Sequence, residues 1–334
     1  MSALNQEALH DWLRAQGLAG ATLSLKTLGG GQSNPTFILD TGDARMVLRK
    51  QPPGPLLKSA HAIDREYRVM GALRDTAVPV PQMIAWCGDA EILGTPFFLM
   101  SFLDGRVFVD QSLPGMSNAE REAIYRDMNR VIAELHAVDI DAVGLGDYGR
   151  REGFIARQVA RWSKQLLESP LSPTPAMRQL IDWLPKNQPI EQASTLVHGD
   201  FRLDNLVFHP TEPRVIGVLD WELSTLGDPL SDFAYHCMSW HIPHTLWRGI
   251  TGLDLDALGL PQEATYRRWY ADRRTAIDDD AWRFYLAFNL FRMSAILHGI
   301  AERAAQGNAN SPDAVQTGAI AAPMAELASR IAGI

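Results

Sequence analysis

Asp200, Asn205 and Asp220 stand at the ends of short apolar runs. Thr195-Leu196-Val197 ends abruptly at His198-Gly199-Asp200, the pattern of a buried strand delivering a polar loop. Asn205 follows five residues later, ahead of Leu206-Val207-Phe208, and a third run over 214–219 ends at Asp220. An acid, an amide and a second acid so spaced suit chemistry on a metal-bound nucleotide. Asn205 and Asp220 offer a neutral and an anionic oxygen, the hard ligands Mg²⁺ takes while sharing phosphates. Asp200 can orient an acceptor hydroxyl and take its proton late, since an ordinary Asp, with a pKa near ~3.9, cannot deprotonate an alcohol beforehand. Singly these residues read as a helix cap, a turn amide and a strand-end cap; it is the joint spacing that points to chemistry.

The flanking sequence reads as the scaffold for such a site. Residues 4–17 have helical apolar spacing, and strands are expected over 21–28, 36–39 and 45–50, joined by short Gly-containing connections as in an antiparallel meander. A helix over 60–74 and strands over 83–86 and 96–102 complete a five-stranded sheet. Beyond Leu103-Asp104-Gly105 the pattern turns helical. Ser117-x-x-Glu120 is a capping box opening a long amphipathic helix, and further helices are expected over 152–168, 175–184, 229–238, 262–274, 280–305 and 312–331. The fold class is therefore α+β in two lobes, a mainly β lobe at 1–103 and a mainly helical lobe at 104–334.

Composition narrows the function classes. With 334 residues, 46% hydrophobic and 21% charged, the chain has the make-up of an ordinary globular protein. A formal charge of -8 argues against nucleic acid held on a broad basic face. Cys87 and Cys237 match no metal spacing and fit a reducing, cytoplasmic setting. The N-terminal MSALNQEALHDWL lacks the form of a signal peptide, and no run approaches the ~18 apolar residues of a membrane span. Nucleic acid and membrane are thus not expected partners.

H-G-D-x-x-x-x-N followed by a strand and Asp220 parallels the catalytic loop and metal-binding Asp of protein kinases. The whole chain resembles the aminoglycoside phosphotransferase and choline kinase group, small-molecule kinases with Gly in place of the protein-kinase Arg. VLRKQPPGPLLKSAHAIDREYRV and HGDFRLDNLVFHPTEPRVIGVLDWELSTLGDPLSDFAY are similar to the kinase-type domain fused to some acyl-CoA dehydrogenases. The resemblance implies a two-lobed protein-kinase-like fold, ATP and Mg²⁺ as cofactors, and a functional link to an acyl-CoA dehydrogenase. It makes Asp200 the catalytic acid–base residue, with Asn205 and Asp220 on the metal. Arg202 either reaches the γ-phosphate or pairs with Asp204. The turn holding Gly30, Gly31, Ser33 and Asn34 would cover the phosphates. Arg49 is selected over Lys50 to pair with Glu66 and touch the α/β-phosphates, since strand neighbours face opposite ways. Met100, Ser101 and Leu103 correspond to the adenine-binding hinge. Trp221-Glu222 replaces the Phe-Gly of protein kinases, leaving the role of Glu222 open. Asp228 and Asp232 are expected to brace the loop and cap a helix.

The leading expectation is an ATP-dependent kinase of a small hydroxylated molecule, with a hydroxy acid or hydroxyacyl-CoA suggested by the nearest resemblance. An aminoglycoside or other amino-alcohol kinase is the alternative within the class. Outside it stand a nucleotide-binding regulatory module without turnover and a metal-dependent hydrolase using His198. Three intact polar residues argue against the first, and scattered histidines argue against the second. Oligomeric state and the choice between ATP and GTP are not written in these patterns.

Overall fold

The computed structural model describes residues 4–28, 34–54, 62–191, 193–307 and 313–334. By its contacts the chain divides into two compact units, Met1–Arg106 with Leu206–Ser224, and Val107–Asn205 with Thr225–Ile334.

In the first unit, β1 (Ser24–Thr27), β2 (Thr36–Asp40), β3 (Arg45–Lys50), β4 (Met83–Cys87) and β5 (Phe97–Ser101) form an antiparallel sheet in the order β1-β2-β3-β5-β4. Strand alternation sorts its faces. Phe37, Leu39, Met46, Leu48, Phe97 and Leu99 share one core with Leu9 and Leu13 of helix α1 (Gln6–Ala15). Helix α2 (Ile63–Leu73) buries Val69, Met70, Leu73 and also Glu66. A short helix, α3 (Ala90–Leu93), joins β4 to β5.

The chain then runs through α4 (Asn118–Ala137), α5 (Phe154–Glu168) and α6 (Pro175–Trp183). Four short strands follow, β6 (Thr195–Val197), β7 (Leu206–Phe208), β8 (Val215–Val218) and β9 (Thr225–Gly227). The β7–β8 hairpin, assigned from sequence to the helical lobe, groups by contacts with the first unit. The cause is main-chain pairing: Arg106 and Phe208 exchange two hydrogen bonds of 2.8 Å, and Val218 N donates to Pro79 O at 2.8 Å.

The second unit is helical around the β6–β9 pair. Ser117 and Glu120 form the capping box of α4, whose Ile124, Met128, Val131, Ile132 and Leu135 are buried. After β9 come α7 (Pro229–Cys237), α8 (Leu255–Leu258), α9 (Glu263–Ala271) and the long α10 (Asp279–Ala305). Among the described residues α10 is the one helix long and apolar enough to cross a membrane, and 78% of that window is buried inside the protein. It packs on α5, α7 and the two last helices, α11 (Ala314–Ala319) and α12 (Ala321–Ala332). A single helix was expected over 312–331. Pro323 explains the break, because it cannot donate to Ala319 O and its ring crowds that carbonyl.

Candidate active site

Two polar clusters, one in each unit, contain most of the residues singled out from sequence. In the first unit Arg49 leaves β3 on the face opposite Leu48 and Lys50. Its Nε lies 2.9 Å from Glu66 Oε2, and its Nη2 donates to Glu66 Oε1 at 3.1 Å and to Asp220 Oδ1 at 2.6 Å. Lys50, on the other face, is buried and donates to Leu93 O at 2.8 Å. Of these two cations, Arg49 is the one that meets Glu66. Asn34 Nδ2, just ahead of β2, also donates to Glu66 Oε1, at 2.9 Å, tying that end of the strand to α2. Gly30, Gly31 and Ser33 lie outside the described residues.

Asp220 sits at φ 66°, ψ 61°, a left-handed conformation uncommon for a non-glycine residue. Trp221 behind it is fully buried and donates its Nε1 to Val218 O at 2.9 Å, so the turn after β8 is anchored. Carboxylate oxygens of Glu66, Asp220 and Glu222 come within 4.8 Å of one another. Burial pushes the Glu66 carboxyl up to about 7, against the pull of Arg49 and with repulsion from Asp220 and Glu222. Two of these carboxylates, Glu66 and Asp220, pair with Arg49, and the three together form a hard-oxygen set that fits a divalent cation.

Of the hinge residues, Met100 is buried within β5. The Ser101 N–H donates to Gln82 O at 2.8 Å, so this amide is already used inside the sheet. Leu103 packs its side chain over Gly217 of β8.

The second cluster is the loop after β6. Gly199 has φ 79°, which a side chain would strain, and this turn swings Asp200 out of the strand. Asp232, on α7, holds the turn by accepting from His198 N at 2.7 Å and Gly199 N at 2.8 Å, and its Oδ2 is 3.2 Å from His136 Nε2. Burial opposes the Asp232 charge, yet these partners keep its carboxyl below the usual range. Asp228 caps α7 through Leu230 N and accepts from Tyr285 Oη at 2.7 Å. His198 is fully buried and accepts from Asp200 N through Nδ1 at 3.2 Å, a brace within the loop.

The Asp200 carboxylate is fixed from both sides. Its Oδ1 accepts from the Tyr235 hydroxyl and lies 2.8 Å from Arg202 Nε. Asn205 Nδ2 donates to Asp200 O at 2.9 Å and to Oδ2 at 3.1 Å. Asn205 thus meets Asp200 through its amide nitrogen and not its oxygen. Arg202 also lies 3.7 Å from Asp204, the pairing that stood as the alternative to a γ-phosphate contact.

A family model described as "Phosphotransferase enzyme family" matches residues 24–274. The chain belongs to that family. It is a small-molecule kinase with the family's two-part α+β fold. A crystal structure from Ralstonia eutropha JMP134, assigned only provisionally in its name as an aminoglycoside phosphotransferase, is 52% identical over 99% of both chains with a TM-score of 0.90. An aminoglycoside 2'-phosphotransferase-IIIa solved as its GDP complex is 14% identical, with a TM-score of 0.65 over 96% of this chain and 99% of that one, a likeness of fold. Acyl-CoA dehydrogenase family member 10 of Mus musculus is 46% identical over 98% of this chain. The chain spans 31% of that relative's length and 40% of the length of others like it.

Sequence reasoning missed two residues in this phosphotransferase. Tyr235 holds Asp200, and Arg292 donates from Nη2 to Gly199 O at 2.8 Å with its guanidinium 5.2 Å from the Tyr235 ring. Tyr235 was within reach: Asp228, Asp232 and Tyr235 fall at helical spacing on one face, and two of them had already been read as braces. Arg292 had no signal, because nothing in a long apolar helix marks which turn meets a distant loop.

Proposed function

We propose that this phosphotransferase moves the γ-phosphate of ATP to a hydroxyl of a small hydroxyacyl substrate, a hydroxy acid or its CoA thioester, in a cytoplasmic setting. The single observation that carries the reading is Asp200, a carboxylate at the end of a strand held by two hydrogen-bond donors, Tyr235 and Asn205, and by an ion pair with Arg202. In the proposed reaction the acceptor oxygen bonds to the γ-phosphorus as its bond to the bridging oxygen of ADP breaks. Asp200 orients the acceptor O–H and receives its proton late, because an ionised Asp is too weak a base to do so earlier. Arg49, fixed by Glu66, supplies positive charge for the nucleotide phosphates, and Arg202 is a second candidate for that role. Asn205 and Asp220 offer the oxygen ligands Mg²⁺ takes; when bound, that ion would neutralise phosphate charge. The hydroxyacyl assignment draws on relatives whose names denote acyl-CoA dehydrogenases, and it implies a substrate shared with such an enzyme.

The test is a metabolite panel with Mg·ATP that includes hydroxy acids, hydroxyacyl-CoA thioesters and aminoglycosides, read by formation of ADP and a phosphate ester. Phosphorylation of a hydroxyacyl member supports the reading. Turnover of aminoglycosides alone would replace it with the amino-alcohol alternative. Nucleotide binding with no acceptor turned over would favour a regulatory module.

A further inference from the structure

A small pocket in the second unit opens beside Asp200, since Arg202 and Tyr235, which both touch its carboxylate, line it. Met238, Ile242 and Trp247 supply apolar wall. The strongly charged residues among its lining are Arg202 and Arg248. His236, also in the wall, is pushed down to about 4 by burial and is neutral at pH 7. The pocket thus presents guanidinium to its contents.

Arg248 is held there deliberately. Its φ of 45° lies in the left-handed region, a conformation that costs a non-glycine residue ~1 kcal/mol or more and persists only where the surroundings impose it. The loop carrying it is closed by Thr251 N to Ile242 O at 3.1 Å and Ile250 N to Ser239 O at 2.8 Å. At the next residue, Gly249, an added Cβ would sit 1.8 Å from Ile242 O, so the chain has no freedom to back away. Asp204 pairs with Arg248 and lies 3.7 Å from Arg202 Nε, bridging two cations that would otherwise repel. A guanidinium carries five donors in a fixed fork, more than one such carboxylate can use.

We propose that Arg248, with Arg202 beside it, receives an anionic group of the acceptor, a carboxylate or a phosphate, and so sets which hydroxylated molecules are held against Asp200. The inference rests on the acceptor-kinase reading above and adds its specificity residue. Asp200 and Asp204 offset the charge of the two guanidiniums, so selection rests on their N–H groups, which donate to the oxygens of an acid and offer no acceptor to the ammonium groups of a polycationic sugar.

The experiment is equilibrium binding by calorimetry, which needs no turnover. The probes are 3-hydroxyoctanoate, its CoA thioester, the uncharged 1,3-octanediol and kanamycin A, each tested on the full chain and on Arg248→Gln and Arg248→Lys. At least one anionic probe should bind about 10-fold or more tightly than the diol, the scale of one charge-assisted hydrogen bond. Arg248→Gln should abolish that preference without changing diol binding, and Arg248→Lys should restore part of it. Loss confined to the free acid names a carboxylate, and loss confined to the thioester names the CoA phosphates. Diol or kanamycin binding as tightly as both anions, or an anion preference that survives Arg248→Gln in a folded protein, overturns the proposal. A probe that binds through Arg248 and is never phosphorylated would instead sink the acceptor assignment while leaving the anion site standing.

Discussion

Asn205 directs one amide nitrogen at two oxygens of Asp200, the backbone carbonyl at 2.9 Å and the side-chain Oδ2 at 3.1 Å. The five-residue spacing between these residues is thereby a physical constraint. It closes the loop after β6 on itself and fixes the rotamer of Asp200 and the direction of the Asn205 oxygen with one group.

Replacing Asp200 with Asn would set an amide against two donors and the Arg202 guanidinium, besides removing the charge. Turnover should fall by at least ~100-fold, the scale of losing an acid–base group. Nucleotide affinity, measured by ADP titration, should stay within ~3-fold, because Arg49, Glu66 and Asp220 belong to a separate cluster. Full activity in this variant would remove Asp200 from the mechanism.

Arg49 and Lys50 should separate in their effects. Arg49 bridges Glu66 and Asp220, whereas Lys50 donates to Leu93 O within the core of the first unit. Arg49→Ala should weaken ATP binding by about 10-fold or more, the scale of a charge-assisted contact. Lys50→Ala should lower the melting temperature and leave ATP affinity nearly unchanged. The opposite order would transfer the nucleotide role to Lys50.

Glu66 gives a pH signature. Its folded pKa, about 7, lies above the ordinary value of 4.5, chiefly because it is buried. A carboxyl raised on folding contributes stability that is fully present below the unfolded pKa and is lost as pH rises through the folded one. Stability measured without ligand should therefore decline between pH ~4.5 and ~7. Glu66→Gln, which cannot ionise, should flatten that decline and also weaken nucleotide binding by releasing Arg49 and Asn34. An unchanged pH slope in this variant would assign the titration to another group.

Much of this arrangement was legible because it is local. Strand alternation around Arg49 and Lys50, the Ser117–Glu120 box and the Asp200–Asn205 spacing are short-range patterns that burial enforces. Legibility ended where the chain returns from a distance. That β7 and β8 join the first unit depends on Arg106 meeting Phe208, about a hundred residues away in sequence. The positions of Arg248 and Arg292 depend likewise on loop closure and helix packing, which leave no periodic trace. The hinge was legible as a strand, but its chemistry was not, since the partner of the Ser101 amide is the main chain of Gln82.

Tyr235 offers the narrowest test of how Asp200 is positioned. Its hydroxyl donates to Asp200 Oδ1 while its ring lies under Arg292, so one residue carries two separable interactions. Burial and the neighbouring Asp200 charge hold the phenol well above its ordinary pKa, so it remains a donor across the working pH range. Tyr235→Phe removes the donor and keeps the ring. It should lower kcat by about 10-fold, the worth of one hydrogen bond to a charged group, with melting little changed. Tyr235→Leu removes the ring as well and should additionally lower the melting temperature, since Arg292 loses its aromatic partner. A purely structural role would move melting in both variants and kcat only in proportion. If kcat in Tyr235→Phe matches the parent, Arg202 and Asn205 suffice to hold Asp200, and the tyrosine hydroxyl has no part in positioning it.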